Sequence, residues 1–423
     1  MEIMIRRATL PNYKEQVDIA IKHGIFQKIA PNINQSAERE IDAYGKFVSP
    51  SFVESHVHLD DALSAGIPRP NKSGTLQEAI RIATERKALL TTEEVKQSAE
   101  QTITWLIANG VTFIRAHTDF SPNFVKLKAL LELKQTLRDV VDIQVVAFPQ
   151  EGLFIQTGTD EWLEEAMKMG ADVVGGLPQA EITREDGIKH IKYIFELAEK
   201  YNAPIDIHTD ETGDPQSRYL EVIAKYTKTY NMYGRVTASH TTALHNYQND
   251  YAAKVIHHVK EAGVNIVTNP FSNAILQNRL DGYPKYRGVT RVDQLLAAGV
   301  NVSIGNDNIV DPFGPLGKGN MLQAAHMLAH ISHMTTDKQL NDLFAMITTN
   351  GARTLQLDGY AIEEGNRAHC IVLDAASPKE AIRLTSECLY VIFDGKIVSE
   401  TIPAQRNVYL QAKEPITVNF TLE

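Results

Sequence analysis

The sequence predicts a (β/α)₈ barrel with a small β-domain beside it, and three observations lead there. From about residue 50, short apolar, β-branched runs alternate with longer helical patterns, the signature of a parallel sheet with crossover helices. The runs number eight, and eight strands with eight crossovers close a barrel more readily than they form an open sheet. The two flanks break this alternation and share a strand-and-turn character of their own.

The expected barrel strands, in order, are Lys46 to Val53, Val111 to Ala116, Ile143 to Phe148, Ala171 to Gly175, Ile205 to Ile207, Val236 to Ser239, Asn265 to Thr268 and Asn301 to Ile304. Helical patterns lie between them at Thr75 to Asn109, Asn123 to Leu137, Glu161 to Met169, Glu185 to Tyr201 and Val255 to Ala262. Asn109-Gly110, Met169-Gly170, Ala262-Gly263 and Ala298-Gly299 each lead into a strand, as a helix C-terminal glycine does. In the flanks, the short runs Met4 to Ala8, Val17 to Ile21, Ile371 to Asp374 and Tyr390 to Phe393 are set off by turns at His23-Gly24, Glu364-Gly365 and Asp394-Gly395. Residues 1–48 and 362–423 are therefore expected to pair into one small β-sandwich, with residues 49–361 forming the barrel.

The chain has 423 residues, 43% of them hydrophobic and 22% charged, an ordinary globular composition with ample length for a large core. A net charge of −10 and the lack of a Lys/Arg cluster argue against nucleic acid as a partner. Two cysteines, Cys370 and Cys388, are too few for a disulfide framework and suit a reducing compartment. The first sixteen residues carry no apolar signal core and no run of 18 apolar residues occurs, so the expectation is a cytoplasmic protein without a membrane span.

The strongest chemical signal is His56-Val57-His58, followed by Leu59-Asp60-Asp61. Alternate side chains of a strand face the same way, so histidines at i and i+2 present two imidazoles to one ion, although two unrelated polar residues at a strand end would look alike. His208 follows the fifth run, His240 closes the sixth and Asp307 comes just after the eighth. In a barrel all these points lie on the C-terminal face, where the loops after the strands assemble active sites. Each alone is more often a satisfied polar residue or a helix cap; together they point to a metal centre.

Glu211, three residues after His208, is near enough to exchange a proton with a substrate, or else is a helix N-terminal acid. Gln150, in Phe148-Pro149-Gln150-Glu151-Gly152 after the third strand, offers one acceptor and two donors to an amide-like edge. Leu76, Asn308 and Phe313 complete the candidate substrate contacts. His117 and Asp119, after the second strand, are read as supporting rather than reacting groups.

These stretches resemble the amidohydrolase superfamily and, within it, the bacterial cytosine deaminases. The resemblance rests on Ser51-Phe52-Val53-Glu54-Ser55-His56-Val57-His58-Leu59-Asp60, the helical Glu85-Arg86-Lys87-Ala88-Leu89-Leu90, Val146 to Gly152, Thr237-Ala238-Ser239-His240-Thr241-Thr242-Ala243, Tyr283-Pro284-Lys285, Asp311-Pro312 and Pro315-Leu316-Gly317. It implies one divalent ion per chain, Fe²⁺ or Zn²⁺, held by His56, His58, His208 and Asp307. His240 would then orient the attacking hydroxide, Glu211 protonate the ring nitrogen and Gln150 hold the pyrimidine amide edge. No lysine stands out after the fourth strand to bridge a second ion, and a homo-oligomer is implied by analogy alone.

The chain departs from that family's pattern in three places. It reads Asn306-Asp307-Asn308 where those enzymes carry His-Asp-Asp, Phe313 where they carry Trp, and Gln179-Ala180 before Glu181 where they carry His-Phe. A roomier and less charged pocket is expected from this. The resulting reading is hydrolytic deamination of cytosine or a 5-substituted cytosine. The alternatives are removal of an alkylamine from an s-triazine such as N-isopropylammelide, deamination of an isoguanine-type amino-purine, and a non-catalytic binding protein on the same barrel.

Overall fold

The computed structural model describes residues 1–120, 123–279, 281–283, 285–410 and 414–420. Pro284 of the Tyr283-Pro284-Lys285 match, and residues 411–413 and 421–423 of the second flank, lie outside the described residues. Eight parallel strands form one sheet in sequence order: β1 Phe52–Val57, β2 Val111–Asp119, β3 Asp142–Phe148, β4 Val173–Gly176, β5 Ile205–Thr209, β6 Val236–His240, β7 Asn265–Thr268 and β8 Val302–Ile304. The sheet closes between β1 and the residues after β8: Asp307 N donates to His56 O and His58 N to Asp307 O, each at 2.8 Å. Closure therefore runs through the backbone of three candidate site residues.

Burial explains why these segments are strands. Every residue of β1, β2, β5 and β6 is buried, as expected where a parallel sheet is covered by side chains within and helices without. Gly110, which turns the chain from the helix Thr92–Ala108 into β2, has φ +90°, and a Cβ there would lie 2.7 Å from Cys388 Sγ. Only glycine fits both demands.

Two expected segments are divided. The run Lys46 to Val53 contributes Val48–Pro50 to a separate antiparallel sheet, beside Cys370–Leu373, and β1 begins only at Phe52, whose N donates to Gly110 O. The helical stretch from Thr75 to Asn109 is two helices, Leu76–Lys87 and Thr92–Ala108, because Thr91 and Glu94 form a reciprocal capping box that starts the second.

The flanks make two four-stranded sheets. One orders Ile25–Ala30, Val17–Lys22, Ile3–Ala8 and Arg39–Asp42; the other orders Lys396–Glu400, Cys388–Phe393, Cys370–Leu373 and Val48–Pro50. Ile5, Ile19, Phe26 and Ile41 of the first share one apolar core with Val48, Cys370, Val372 and Ile392 of the second, so the ends of the chain meet in a β-sandwich. No helix among the described residues is long and apolar enough to cross a membrane.

Candidate active site

The C-terminal ends of the barrel strands bring the predicted metal-binding side chains together. His58 Nε2 lies 3.2 Å from His208 Nε2 and 3.3 Å from Asp307 Oδ1, and His56 Nε2 lies 3.5 Å from the same carboxylate oxygen. His240 approaches from β6, its Nδ1 3.9 Å from Asp307 Oδ2 and 3.6 Å from Glu211 Oε1. Asp307 and His240 have φ of 65° and 71°, a left-handed backbone that few non-glycine residues adopt and that occurs disproportionately at functional sites.

The electrostatics of this cluster suit a cation. All five groups are buried, and His56 Nε2 and His208 Nδ1 have no hydrogen-bond partner. Burial, reinforced by the neighbouring imidazoles, holds His56, His58 and His208 well below the usual histidine range and brings His240 down to about 3. Burial and the nearby Glu211 raise the Asp307 carboxyl well above its usual range. Neutral imidazoles are the ligating form, and a divalent ion supplies the positive charge that a buried carboxylate lacks. Ligand atoms lie within 4.8 Å of one another in each of three overlapping sets: His56, His58 and Asp307; His56, His117 and His208; and Glu211, His240 and Asp307. A donor set of imidazole nitrogens and a carboxylate oxygen with unpartnered atoms fits Zn²⁺ or Fe²⁺.

Polar groups behind the cluster orient it. Ser239 Oγ lies 3.0 Å from His56 Nδ1 and donates to Asp206 Oδ1 at 2.7 Å. Asp206 in turn accepts from Arg115 Nη1 at 3.1 Å, and both are buried within the barrel. This chain engages His56 Nδ1 and leaves Nε2 for an ion. Glu54 accepts from Asn306 N, Asn306 Nδ2 and His56 N, fixing the loop that carries Asp307. His117 stacks on His56 with ring centroids 3.7 Å apart, and Asp119 pairs with Lys87.

A small cavity opens in front of the cluster. It is lined by His58, Asp61, Leu76, Gln150, His208, Glu211, Leu276, Asp307, Asn308 and Phe313, which include every predicted substrate contact. His56 and His240 do not line it. Burial pushes the Glu211 carboxyl up to about 8, and Gln277 Nε2 donates to its Oε1 at 3.4 Å. Asn308 is held on both sides: Ser272 Oγ donates to its Oδ1 and its Nδ2 donates to Asp311 Oδ2, each at 2.8 Å.

The sequence reading passed over four of these residues. Asp61 and Leu276 line the cavity, while Asn273 Nδ2 donates to His240 Nδ1 at 2.9 Å with Asn269 Nδ2 3.3 Å from the same atom. Asn269 directly follows β7 and so shares the strand-end position that singled out His208 and Asp307. Asp61 sits three residues beyond His58 and is paired with Arg86 and Lys126. Glu181 is a structural anchor, accepting from Leu153 N at 2.6 Å and paired with His190 at 2.7 Å.

The model of the amidohydrolase family matches residues 39–399. The chain is 39% identical to 5-methylcytosine deaminase from Klebsiella pneumoniae, whose structure with 5-fluorocytosine superposes with a TM-score of 0.93 over 97% of this chain and 100% of that one. It is 32% identical to N-isopropylammelide isopropyl amidohydrolase of Pseudomonas sp. strain ADP, across 94% of this chain and 97% of the relative. Pterin deaminase of Rhizobium rhizogenes is 27% identical over 93% of this chain and 90% of its own length. The chain belongs to the amidohydrolase family and is a metal-dependent hydrolase of C–N bonds.

Proposed function

We propose that the protein deaminates an amino-pyrimidine, cytosine or a 5-substituted cytosine, to the corresponding uracil and ammonia. The observation that carries this is the composition of one cavity wall: an acid pushed up to about 8, Glu211, and a carboxamide, Gln150, face the same space as His58, His208 and Asp307. Similarity to 5-methylcytosine deaminase over nearly the whole chain supports it.

His56, His58, His208 and Asp307 would hold one divalent ion, Fe²⁺ or Zn²⁺. Bound there, it supplies Lewis-acid activation that takes water from a pKa of about 15.7 toward about 7. Asp307 and His240 receive and orient the proton of the attacking water. Glu211, protonated at neutral pH, donates to the ring nitrogen beside the amino-bearing carbon and makes that carbon electrophilic. Gln150 fixes the ring by its amide edge. Asp307 passes the water-derived proton to the exocyclic nitrogen, the C–N bond breaks and ammonia leaves, while the hydroxyl proton of the attacked carbon returns to Glu211 as the carbonyl forms and restores the acid.

A second reading is hydrolysis of an alkylamino-s-triazine, favoured by the 32% identity to N-isopropylammelide isopropyl amidohydrolase. The deciding experiment incubates metal-loaded protein with cytosine, 5-methylcytosine, isoguanine and N-isopropylammelide, and assays ammonia and isopropylamine separately. Ammonia from the cytosines is expected. Isopropylamine release without cytosine turnover would replace the proposal with the triazine reading.

A further inference from the structure

The cavity is closed on the side of Asn308 and Phe313, and at Gln150 and Glu211 it opens into a cleft of about 480 Å³. Gln150 lines both spaces. Among the described residues its carboxamide has no hydrogen-bond partner within the chain, so no side-chain bond holds the amide where it is. Its place is set by the turn Pro149–Gly152 that carries it, in which Gly152 N donates to Pro149 O at 3.0 Å.

That turn is held from two flanks. After β4, Glu181 accepts from Leu153 N. On the other flank, Glu151, the residue beside Gln150, accepts from Lys87 Nζ at 3.1 Å and from Thr84 Oγ1 at 3.3 Å, both on the helix Leu76–Lys87. The same ammonium lies 2.5 Å from Asp119 Oδ2. Asp119 ends β2 and pairs in register with Phe148, the last residue of β3, so it belongs to the rigid rim of the barrel. The Lys87 side chain is 10% exposed and that of Asp119 1%, which shields this half of the bridge from solvent screening. The helix is fixed in turn by Arg86, which donates to Asp61 Oδ1 at 3.0 Å, and its first residue, Leu76, lines the cavity. Lys87 thus spans from a strand end to the residue next to Gln150.

We infer that Lys87 and Glu151 are positioning residues for Gln150: the bridge from Asp119 through Lys87 to Glu151 fixes the Pro149–Gly152 turn against the barrel rim, and with it the point at which the carboxamide meets the ring. The inference rests on the amino-pyrimidine reading above, in which Gln150 fixes the ring by its amide edge. That edge lies across the ring from the amino-bearing carbon, so the contact is made alike in the bound substrate and in the transition state. Loss of such a contact weakens binding and leaves the chemical step unchanged.

The test measures kcat and KM of the full metal-loaded chain with cytosine and 5-methylcytosine, for the parent, Gln150→Met, Glu151→Met and the double variant. Glu151→Met removes the exposed end of the bridge and leaves Lys87 paired with buried Asp119, so the fold is kept. KM is expected to rise about tenfold in each single variant, the scale of one hydrogen bond, with kcat changed by less than about twofold. In the Gln150→Met background, Glu151→Met should raise KM no further, because the group that it places is gone. Lys87→Met should repeat the rise in KM and also lower the melting temperature, since Asp119 loses its cation. KM effects that multiply in the double variant, a fall in kcat without a rise in KM, or an unchanged KM in either single variant overturns the positioning role and leaves the amino-pyrimidine reading standing. If the parent turns over neither pyrimidine, that reading falls and the inference falls with it.

Discussion

The same barrel strands carry two kinds of buried polar group, in layers one above the other. In the middle of the barrel, Arg115 on β2 is saturated: it donates to Asp206, Gln144 Oε1, Thr237 Oγ1 and the Thr354 carbonyl. At the mouth, His56 and His208 are equally buried and each keeps a ring nitrogen without a partner. Unpaired buried polar groups are costly, so the first layer reads as structure and the second as a site shaped for something else to complete it. Ser239 joins the layers, touching Asp206 below and His56 above. Breaking each layer should therefore have a different consequence.

The largest effect is expected in the saturated layer. Arg115→Met leaves Asp206 buried without its cation and should cost about 3–5 kcal/mol of stability, read by denaturant unfolding. Glu211→Gln lies in the reactive layer. It should keep the metal and the melting temperature while lowering kcat at least about 10²-fold, since a carboxamide preserves shape but carries no transferable proton. Near-normal turnover in that variant would place the acid elsewhere, with Asp210 the next group to examine.

Ser239→Ala sharpens the comparison because it cuts the link alone. With the orienting bond to His56 gone, metal affinity should fall about 10–100-fold, measured by competition with a chelator, and Ser239→Thr should restore most of it. Equal affinity in the parent and Ser239→Ala would mean that the two layers are independent.

The smallest effect concerns the closed side of the cavity. Asn308 stands where the resemblance to the cytosine deaminases implies an acid, and the expected preference for 5-methylcytosine over cytosine is no more than about tenfold in kcat/KM, the scale of one buried methyl. Asn308→Asp should move that preference toward cytosine. It should also make stability fall as pH rises. The Asp311 carboxyl, already pushed up to about 7 by burial, lies in hydrogen-bond contact with residue 308, so two acids would share this space. The folded state would hold protons that the unfolded state releases above about pH 4, so stability present at pH 6 is lost on going to pH 8. Melting temperatures at the two values check the sign.

What the sequence disclosed follows from how locally each feature is encoded. His56, His58, His208, His240 and Asp307 could be found because strand ends are marked by the apolar runs before them, and a barrel gathers strand ends on one face. Val48–Pro50 could not be separated from Phe52–Val57, since both are apolar and only pairing with distant strands tells them apart. The break before Thr91 was legible in principle, as Thr91 and Glu94 are a capping-box pair. Asn269 and Asn273 were not, because nothing local to an asparagine reveals that a histidine on the neighbouring strand will accept its hydrogen bond. Gln179 stood out only as a departure from the related enzymes; that its amide is buried and unpartnered is a property of the fold.

The central claim is that the unsatisfied layer holds one ion through four named side chains. Metal content of purified parent, His56→Ala, His58→Ala, His208→Ala and Asp307→Ala, loaded identically and measured by elemental analysis, tests it most directly. The account predicts about one equivalent per chain in the parent and strong depletion in each variant, because an open four-ligand site tolerates loss of a ligand poorly. One full equivalent retained by all four variants would contradict it.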